Sequence, residues 1–293
     1  MITKSSTKDL ALSSNERLFL KGNSIFKPKK YNNLKPKGLK IYTFHAGFKK
    51  KLKDLLIIIF DKTVNSKIVY SKTSMPSAPI IWDLKNNKGT VKALIVNSGN
   101  ANAHTGKKGI DTIDKYTNYL SNFIGCKKNE ILVSSTGVIG ELFDPSLIIN
   151  QIPKIKSLKP NYLLDAAKAI MTTDTYPKIS VKKVVINKKI FKIYGIAKGS
   201  GMIKPNMGTM LSYIFLEPKI SKTILNKLLM NNLESTFNSI SIDSDTSTSD
   251  TLALFSLNKI DINFKNKKNF QKLNNSLYEL MYDLSLKVVK DGE

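Results

Sequence analysis

A chain of 293 residues, 41% of them hydrophobic, can bury a sizeable core in one large domain or two closely packed ones. Its formal net charge of +25 would ordinarily indicate a nucleic acid or an acidic surface as partner. Arg17 is the single arginine, however, and phosphate and base recognition favours guanidinium groups. Because the lysines are scattered through every segment, we expect them on solvated faces and predict no nucleic-acid partner.

Cysteine and histidine are too rare to support several classes of site. Cys126 is the single cysteine, which excludes an intrachain disulfide and a cysteine-rich metal site. His45 and His104 are the two histidines, so we predict no metal. The longest apolar run, Leu55–Phe60, is far too short to span a bilayer, and the N-terminus lacks the apolar segment of a signal peptide. We therefore predict a cytoplasmic protein without a membrane partner.

The predicted elements alternate along the chain after a polar, weakly patterned arm at residues 1–37. Apolar and β-branched runs predict strands, and residues with a period near 3.6 predict amphipathic helices. A hairpin at 184–193 turns at Asn187-Lys188. This mixture favours an α+β fold, a layered α/β sandwich, over a strict βαβ barrel. The remaining predicted strands are 54–61, 91–96, 131–134, 210–216 and 252–255, and the predicted helices are 109–124, 161–171, 220–230 and 269–289.

The run Ala197–Leu211 passes from small residues to apolar ones. Glycine, serine and proline crowd its first half, which predicts a loop that approaches another group closely. A threonine at the junction with the following strand, Thr209, can act as a nucleophile if a base removes its proton. Cleavage of the Gly208–Thr209 bond would supply such a base, the new α-amino group. The alternative is a structural loop before a core strand.

Four further segments place small polar residues beside apolar strands, and each allows a structural or a functional interpretation. Val96–Gly106 supplies amide donors or forms a tight turn. Ser134–Gly140 offers backbone N–H groups and the Thr136 hydroxyl to an oxyanion, or caps a helix. Met171–Lys178 can bind an amino-acid head group or satisfy a helix C-terminus. Asp243–Thr251 carries three carboxylates that suit a hard cation or a hydrogen-bonded turn.

The usual motifs of cofactor-dependent enzymes and hydrolases are missing from the sequence. It contains no phosphate-binding Walker loop, no dinucleotide GxGxxG after a strand, no HExxH and no GxSxG. A Ser-His-Asp triad would need His45 or His104. Because Phe44 and Phe48 flank His45, we predict that this histidine is a core residue and not a catalytic base.

Taken in order, these segments resemble one family: the glutamate N-acetyltransferases, or ornithine acetyltransferases, of arginine biosynthesis. The resemblance covers roughly residues 38–293. The matching segments are VNSGNANAHTG (96–106), SSTGVIG (134–140), AIMTTDTYPK (169–178), AKGSGMIKPNMGTML (197–211), IDSDTSTSDT (242–251) and KDGE (290–293).

The resemblance implies a self-processing acyltransferase architecture. The precursor cuts itself between Gly208 and Thr209, and the freed Thr209 takes an acetyl group from N-acetylornithine and passes it to glutamate. Thr136 and Gly137 match the family's oxyanion-hole pair. The substrate contacts implied by the resemblance are Lys198, Glu293, Thr209 and a threonine of the TTDT segment, for which we favour Thr172 over Thr173.

The resemblance also implies partners and a division of the chain. It implies no cofactor, although some relatives accept acetyl-CoA as a co-substrate and are multifunctional. The two cleaved chains stay together, and we expect a heterotetramer of two α and two β chains. Residues 38–208 would form the α-chain part of one catalytic domain, and residues 209–293 its β-chain part.

The resemblance leaves two competing interpretations open. A self-processing amidase or aminopeptidase of the same architecture would pass the acyl group to water. Relatives continue beyond the KDGE segment, so a truncated relative without activity is the other alternative. We expect the 293-residue chain alone to bind substrate weakly, because a terminal Glu293 would fray.

Overall fold

One mixed sheet forms the centre of the fold. The computed structural model describes residues 31–203, 210–245 and 247–292. The strands are β1 Leu39–Phe44, β2 Leu55–Tyr70, β3 Thr90–Asn100, β4 Ile131–Val138, β5 Lys178–Ile186, β6 Lys189–Lys198, β7 Leu211–Lys219 and β8 Thr251–Asp261. Their order in the sheet is β4-β3-β2-β8-β7-β6-β5, with β1 beside β2, and the β3–β4 and β7–β8 pairs are parallel. The long strand β2 joins the two halves of the sheet, because its first half pairs with β1 and β3 and its second half with β8.

Most of the helices cover the outer faces of the two halves of the sheet. The helices are α1 Ala78–Asn86, α2 Gly106–Ile124, α3 Ser146–Ile149, α4 Leu163–Ala169, α5 Lys222–Leu233 and α6 Lys267–Val289. The helices α1 and α2 pack against the β1–β4 half, and α5 and α6 pack against the β5–β8 half. The short helix α4 contributes to the core between the two halves.

The alternation of side chains along the central strands explains this layering. In β2, Leu56 and Ile58 face the central core while Leu55 and Ile57 face the core under α1 and α2. The side chains of β7 alternate in the same way: Phe215 faces the central core, and Ile214 and Leu216 face the core under α5 and α6. Strands covered on both faces read as continuous apolar runs. The α+β sandwich predicted from the sequence is therefore confirmed.

Most predicted elements are present with longer or slightly shifted bounds. The hairpin turns at Asn187-Lys188 as expected, both residues having positive φ. β1, α1 and α3 were not predicted from the sequence. In α1, Ile80 and Trp82 are buried but so is Asp83, while Ile81 and Leu84 are exposed, so the apolar residues mark the packed face only in part.

The last part of the predicted arm, residues 31–37, contacts the core. Tyr31 and Leu34 pack against the central core, and the Leu34 carbonyl accepts a hydrogen bond from the Leu163 N–H at 2.8 Å. The proposed boundary at 208/209 falls between β6 and β7, which are neighbouring strands of the sheet. Among the described residues, no helix combines the length and the apolar composition that crossing a bilayer requires.

Gly195 of β6 sets how closely α6 approaches the sheet. An added Cβ would lie 2.7 Å from Leu284 Cδ1 and 2.8 Å from Leu280 Cδ2. Gly195→Ala should therefore lower the free energy of unfolding by about 1–3 kcal/mol, as overpacking does. Urea denaturation measures this loss.

The Leu284→Val background provides the control, because it removes one of the two crowding methyl groups. The loss caused by Gly195→Ala should shrink there. An equal loss in both backgrounds would show that the contact with α6 is not its cause.

Candidate active site

One cavity of about 900 Å³ collects residues from all the polar segments that the sequence analysis singled out. It opens where β3, β4 and β6 end, and the loops that follow these strands form its walls. A further loop, Phe48–Leu52, completes the lining. Its residues are Phe48–Leu52, Gly99, Ala101, Thr136–Ile139, Thr172, Thr173, Lys198, Ser200–Met202, Asp243, Asp245 and Ser247–Ser249.

Thr136 and Gly137 lie at the end of β4 and line this cavity. Gly137 has φ of 130°, and an added Cβ would lie 2.3 Å from the carbonyl carbon of Gly99. Only glycine fits this close approach of two parallel strands. Because Thr136 belongs to a strand, the helix-capping interpretation of this segment is wrong.

The asparagines of Val96–Gly106 serve mainly to build the turn. Asn97 Nδ2 donates to the Asn100 carbonyl at 2.8 Å, and Asn97 Oδ1 accepts from Ser135 at 2.6 Å. Asn102 Nδ2 donates to the Gly109 carbonyl at 3.1 Å, which ties the turn to α2. The asparagine side chains of this segment therefore stabilise a tight turn. Gly99 and Ala101 of the same segment line the cavity.

Both candidate threonines of the TTDT segment line the cavity beside Lys198. Lys198 Nζ lies 3.4 Å from Thr172 Oγ1 and donates to it. Thr173 Oγ1 lies 2.6 Å from Ser200 Oγ. Thr172 is thus in contact with the predicted substrate-binding lysine, and Thr173 contacts the small-residue loop.

A buried ion network fixes the TTDT segment from behind. Lys178 Nζ lies 2.5 Å from Asp174 Oδ1 and also contacts Asp291. Asp174 further accepts hydrogen bonds from the N–H groups of Gly199 at 2.7 Å and Thr172 at 3.0 Å. Burial alone would raise the pKa of Asp174, but Lys178, Lys198 and the Gly199 N–H lower it to about 2. Asp291 belongs to the KDGE segment, so the network joins that segment to the cavity wall.

The carboxylates of the Asp243–Thr251 segment hold the chain on both sides of residues 204–209. Asp243 accepts from the N–H groups of Met202 and of Ile203, the latter at 2.8 Å. Asp250 Oδ1 accepts from the Met210 N–H at 2.6 Å. Among the residues that the structure describes, no group of three or more acidic, histidine or cysteine side chains suits a metal ion. Asp243 and Asp250 thus make the hydrogen bonds that the turn interpretation predicts.

Three predicted site residues, Gly208, Thr209 and Glu293, lie outside the described residues. Leu211, two residues after Thr209 in the sequence, pairs with Lys198 across β6 and β7. The described neighbours of Gly208 and Thr209 thus belong to the same corner of the sheet as the cavity.

The structure differs from the sequence-based predictions at His45 and adds Lys49 to the site. His45 is not a core residue: its side chain is 48% exposed and its Nδ1 lies 3.4 Å from Asp54. Lys49, which no sequence pattern indicated, lines the cavity and donates to the Met171 carbonyl at 2.5 Å. Lys49 and Met171 are far apart in the sequence, so no local pattern could have indicated their contact.

Comparison with known proteins places the chain in a family. The sequence profile of the ArgJ family matches residues 40–293. The chain belongs to the ArgJ family. Two curated relatives, each named arginine biosynthesis bifunctional protein ArgJ, are similar over most of this chain. The protein from Bartonella henselae is 43% identical over 262 residues, 87% of this chain and 64% of its own length. The protein from Bartonella quintana is 40% identical over 279 residues, 92% and 68% respectively.

A solved ArgJ structure shares the fold. The crystal structure of arginine biosynthesis bifunctional protein argJ from Bacillus halodurans superposes with a TM-score of 0.53 at 35% identity. The superposition covers 58% of this chain and 91% of that chain. In sequence, the present chain spans about two thirds of the length of the curated ArgJ relatives it matches.

The buried ion network of this ArgJ family member should dominate its local stability. Lys178→Met would leave Asp174 and Asp291 without their shared counter-ion, and we expect a loss of about 3–5 kcal/mol in unfolding free energy. Urea denaturation at neutral pH measures it.

Lys182→Met is the matched control, because it breaks an exposed ion pair with Glu279. Its loss should stay within about 1 kcal/mol. Similar losses for the two variants would mean that burial does not distinguish the two ion pairs.

Proposed function

We propose that this chain transfers an acetyl group from N-acetylornithine to glutamate. One observation carries the proposal: Thr136, Gly137, Thr172, Thr173 and Lys198 line a single cavity. The resemblance assigns oxyanion and substrate contacts to these types of residue at these positions. They come from segments separated by many residues in the chain, so their convergence is not a consequence of sequence proximity.

Self-cleavage would create the nucleophile. Thr209 Oγ attacks the Gly208 carbonyl carbon, the amide C–N bond breaks, and an ester links the two parts. Water then hydrolyses the ester, which leaves a Gly208 carboxylate and restores the Thr209 hydroxyl beside a free α-amino group. An α-amino group has a reference pKa of about 7.7–8.0, so near neutrality it can accept the hydroxyl proton.

Acetyl transfer would use the same hydroxyl twice. Thr209 Oγ attacks the acetyl carbonyl of N-acetylornithine, its proton passes through the α-amino group to the departing nitrogen, and ornithine leaves. The amine of glutamate then attacks the acetyl ester, N-acetylglutamate leaves, and Thr209 Oγ regains a proton. Thr136 and the backbone N–H of Gly137 would stabilise the oxyanion in each tetrahedral intermediate.

The substrate's charged groups also have proposed partners. Lys198, 2% exposed and beside Thr172, suits a carboxylate. Glu293 suits an ammonium group, and the Asp291–Lys178 contact ties its segment to the cavity wall. The heterotetramer of two α and two β chains remains a prediction.

Product analysis tests the proposed reaction. Purified protein is incubated with N-acetylornithine and glutamate, and the products are separated by mass spectrometry. N-acetylglutamate supports the transferase. Acetate alone would replace it with the amidase, and the absence of both products would favour an inactive relative.

The first prediction for this reaction concerns the chain cut. Intact mass spectrometry should report two pieces, residues 1–208 and 209–293, which stay associated because β7 lies between β6 and β8. Thr209→Ala should abolish both the cut and the transfer. Persistence of the uncut wild-type chain alongside active transfer would contradict the proposed nucleophile.

The second prediction concerns the oxyanion. Thr136→Val should lower kcat by about 10²–10³-fold, the usual effect of removing one such donor, and should leave the thermal unfolding temperature nearly unchanged. Thr90→Val, at the far end of β3, makes the same chemical change away from the cavity and should have no effect on turnover. Turnover of Thr136→Val within twofold of wild type would show that the hydroxyl is not a donor.

A further inference from the structure

The loop that carries Lys49 is held in a fixed conformation by one buried carboxylate. Asp54 is fully buried at the start of β2. Its two oxygens accept hydrogen bonds from the backbone N–H groups of Ala46 at 2.6 Å, Gly47 at 3.1 Å and Lys49 at 2.9 Å. These hydrogen bonds to Asp54 therefore fix the position of the Lys49 backbone.

The Lys49 and Lys198 ammonium groups approach consecutive residues of the cavity wall from two different elements. Lys49 Nζ donates to the Met171 carbonyl at 2.5 Å, and Lys198 Nζ donates to Thr172 Oγ1 at 3.4 Å. An ammonium group has three donors, so the bond from Lys49 to the Met171 carbonyl leaves that lysine capacity for a ligand. The two lysines thus flank one short stretch of the lining.

The charges of the described lining favour an anionic ligand at this place. Its lysines are Lys49, Lys50, Lys51 and Lys198, against the carboxylates Asp243 and Asp245. Asp243 is already bound to backbone N–H groups on the other wall. Asp174, behind Thr172, already has Lys178 as its buried counter-ion.

Burial makes Lys49 responsive to a bound charge. Burial lowers its pKa, the carboxylates of Asp54 and Asp174 raise it, and Lys198 lowers it, with a resulting value of about 8. A carboxylate placed beside it would favour the protonated form. Binding of an anion and protonation of Lys49 should therefore be linked.

We propose that Lys49 is a further substrate-binding residue, whose ammonium group pairs with the α-carboxylate of the ornithine moiety together with Lys198. This inference rests on the proposed function, because it names a contact for the same substrate in the same cavity. It adds a residue from the loop before β2 to a site otherwise formed by the ends of β4 and β6 and by the TTDT segment.

Calorimetric binding of L-ornithine and L-ornithinamide tests the pairing without turnover, because neither carries an acetyl group. L-ornithine carries a negatively charged α-carboxylate, and L-ornithinamide carries a neutral carboxamide in its place. In the wild-type 293-residue chain, ornithine should bind more tightly than the amide. Lys49→Met should reduce that preference about 10–100-fold, the range expected for a lost charge-assisted hydrogen bond.

Two variants provide matched controls. Lys49→Arg keeps the charge and should keep the preference within about threefold of wild type. Lys53→Met removes the same charge from the same loop at a residue that does not line the cavity, and should behave as wild type. Thermal unfolding of each variant identifies any loss of folding.

The pH dependence gives a second readout. Below pH 8, Lys49 is protonated and both wild type and Lys49→Arg should bind ornithine alike. As the pH rises through about 8, wild type should lose affinity relative to Lys49→Arg, because only the lysine loses its proton. The ratio of the two affinities cancels the titration of the ligand and of other protein groups.

The outcomes separate this inference from the proposed function. An unchanged preference in folded Lys49→Met, or no measurable preference in wild type, would overturn the role of Lys49 whatever the products of the reaction. A preference that depends on Lys49, in a protein that forms no N-acetylglutamate, would support the carboxylate contact and refute the transferase.

Discussion

Aspartates that accept backbone N–H groups determine the shape of this cavity. Asp54 holds the Lys49 loop, Asp174 joins the TTDT segment to Gly199, and Asp243 and Asp250 hold Ile203 and Met210. A buried carboxylate is unfavourable unless donors or a cation satisfy it. Asp54 and Asp174 are buried, so the loops around them must adopt the conformation that supplies these carboxylates with donors, which preorganises this part of the lining before a substrate binds.

The same constraint sets the electrostatics of the site. Lys178 is committed to Asp174 and Asp291 behind the wall, whereas Lys49 and Lys198 line the cavity itself. Burial lowers the pKa of Lys49, while the cations and donors around Asp174 lower the pKa of that carboxyl. Lys178 is thus confined to the network behind the wall, whereas Lys198 both contributes to the low pKa of Asp174 and lines the cavity.

The sequence predicts the layers of the fold better than the details of the site. β7 and β8 can be predicted because strands buried on both faces give continuous apolar runs. At the site, the oxyanion candidates Thr136 and Gly137 line the cavity. α1 was missed because it buries Asp83 and exposes Leu84. The cavity position of Lys49 depends on contacts made across 122 residues of sequence, which no local pattern reveals.

In the proposed reaction the acetyl group passes through Thr209, and this acetyl-enzyme intermediate can be trapped. The protein is treated with N-acetylornithine carrying a labelled acetyl group, without glutamate, then quenched with acid and digested for mass spectrometry. Acetyl transfer predicts the label on the peptide that begins at Thr209, and its passage to N-acetylglutamate when glutamate is added before the quench. Label on another residue, or a Thr209 peptide that stays unlabelled while N-acetylglutamate forms, would contradict the mechanism.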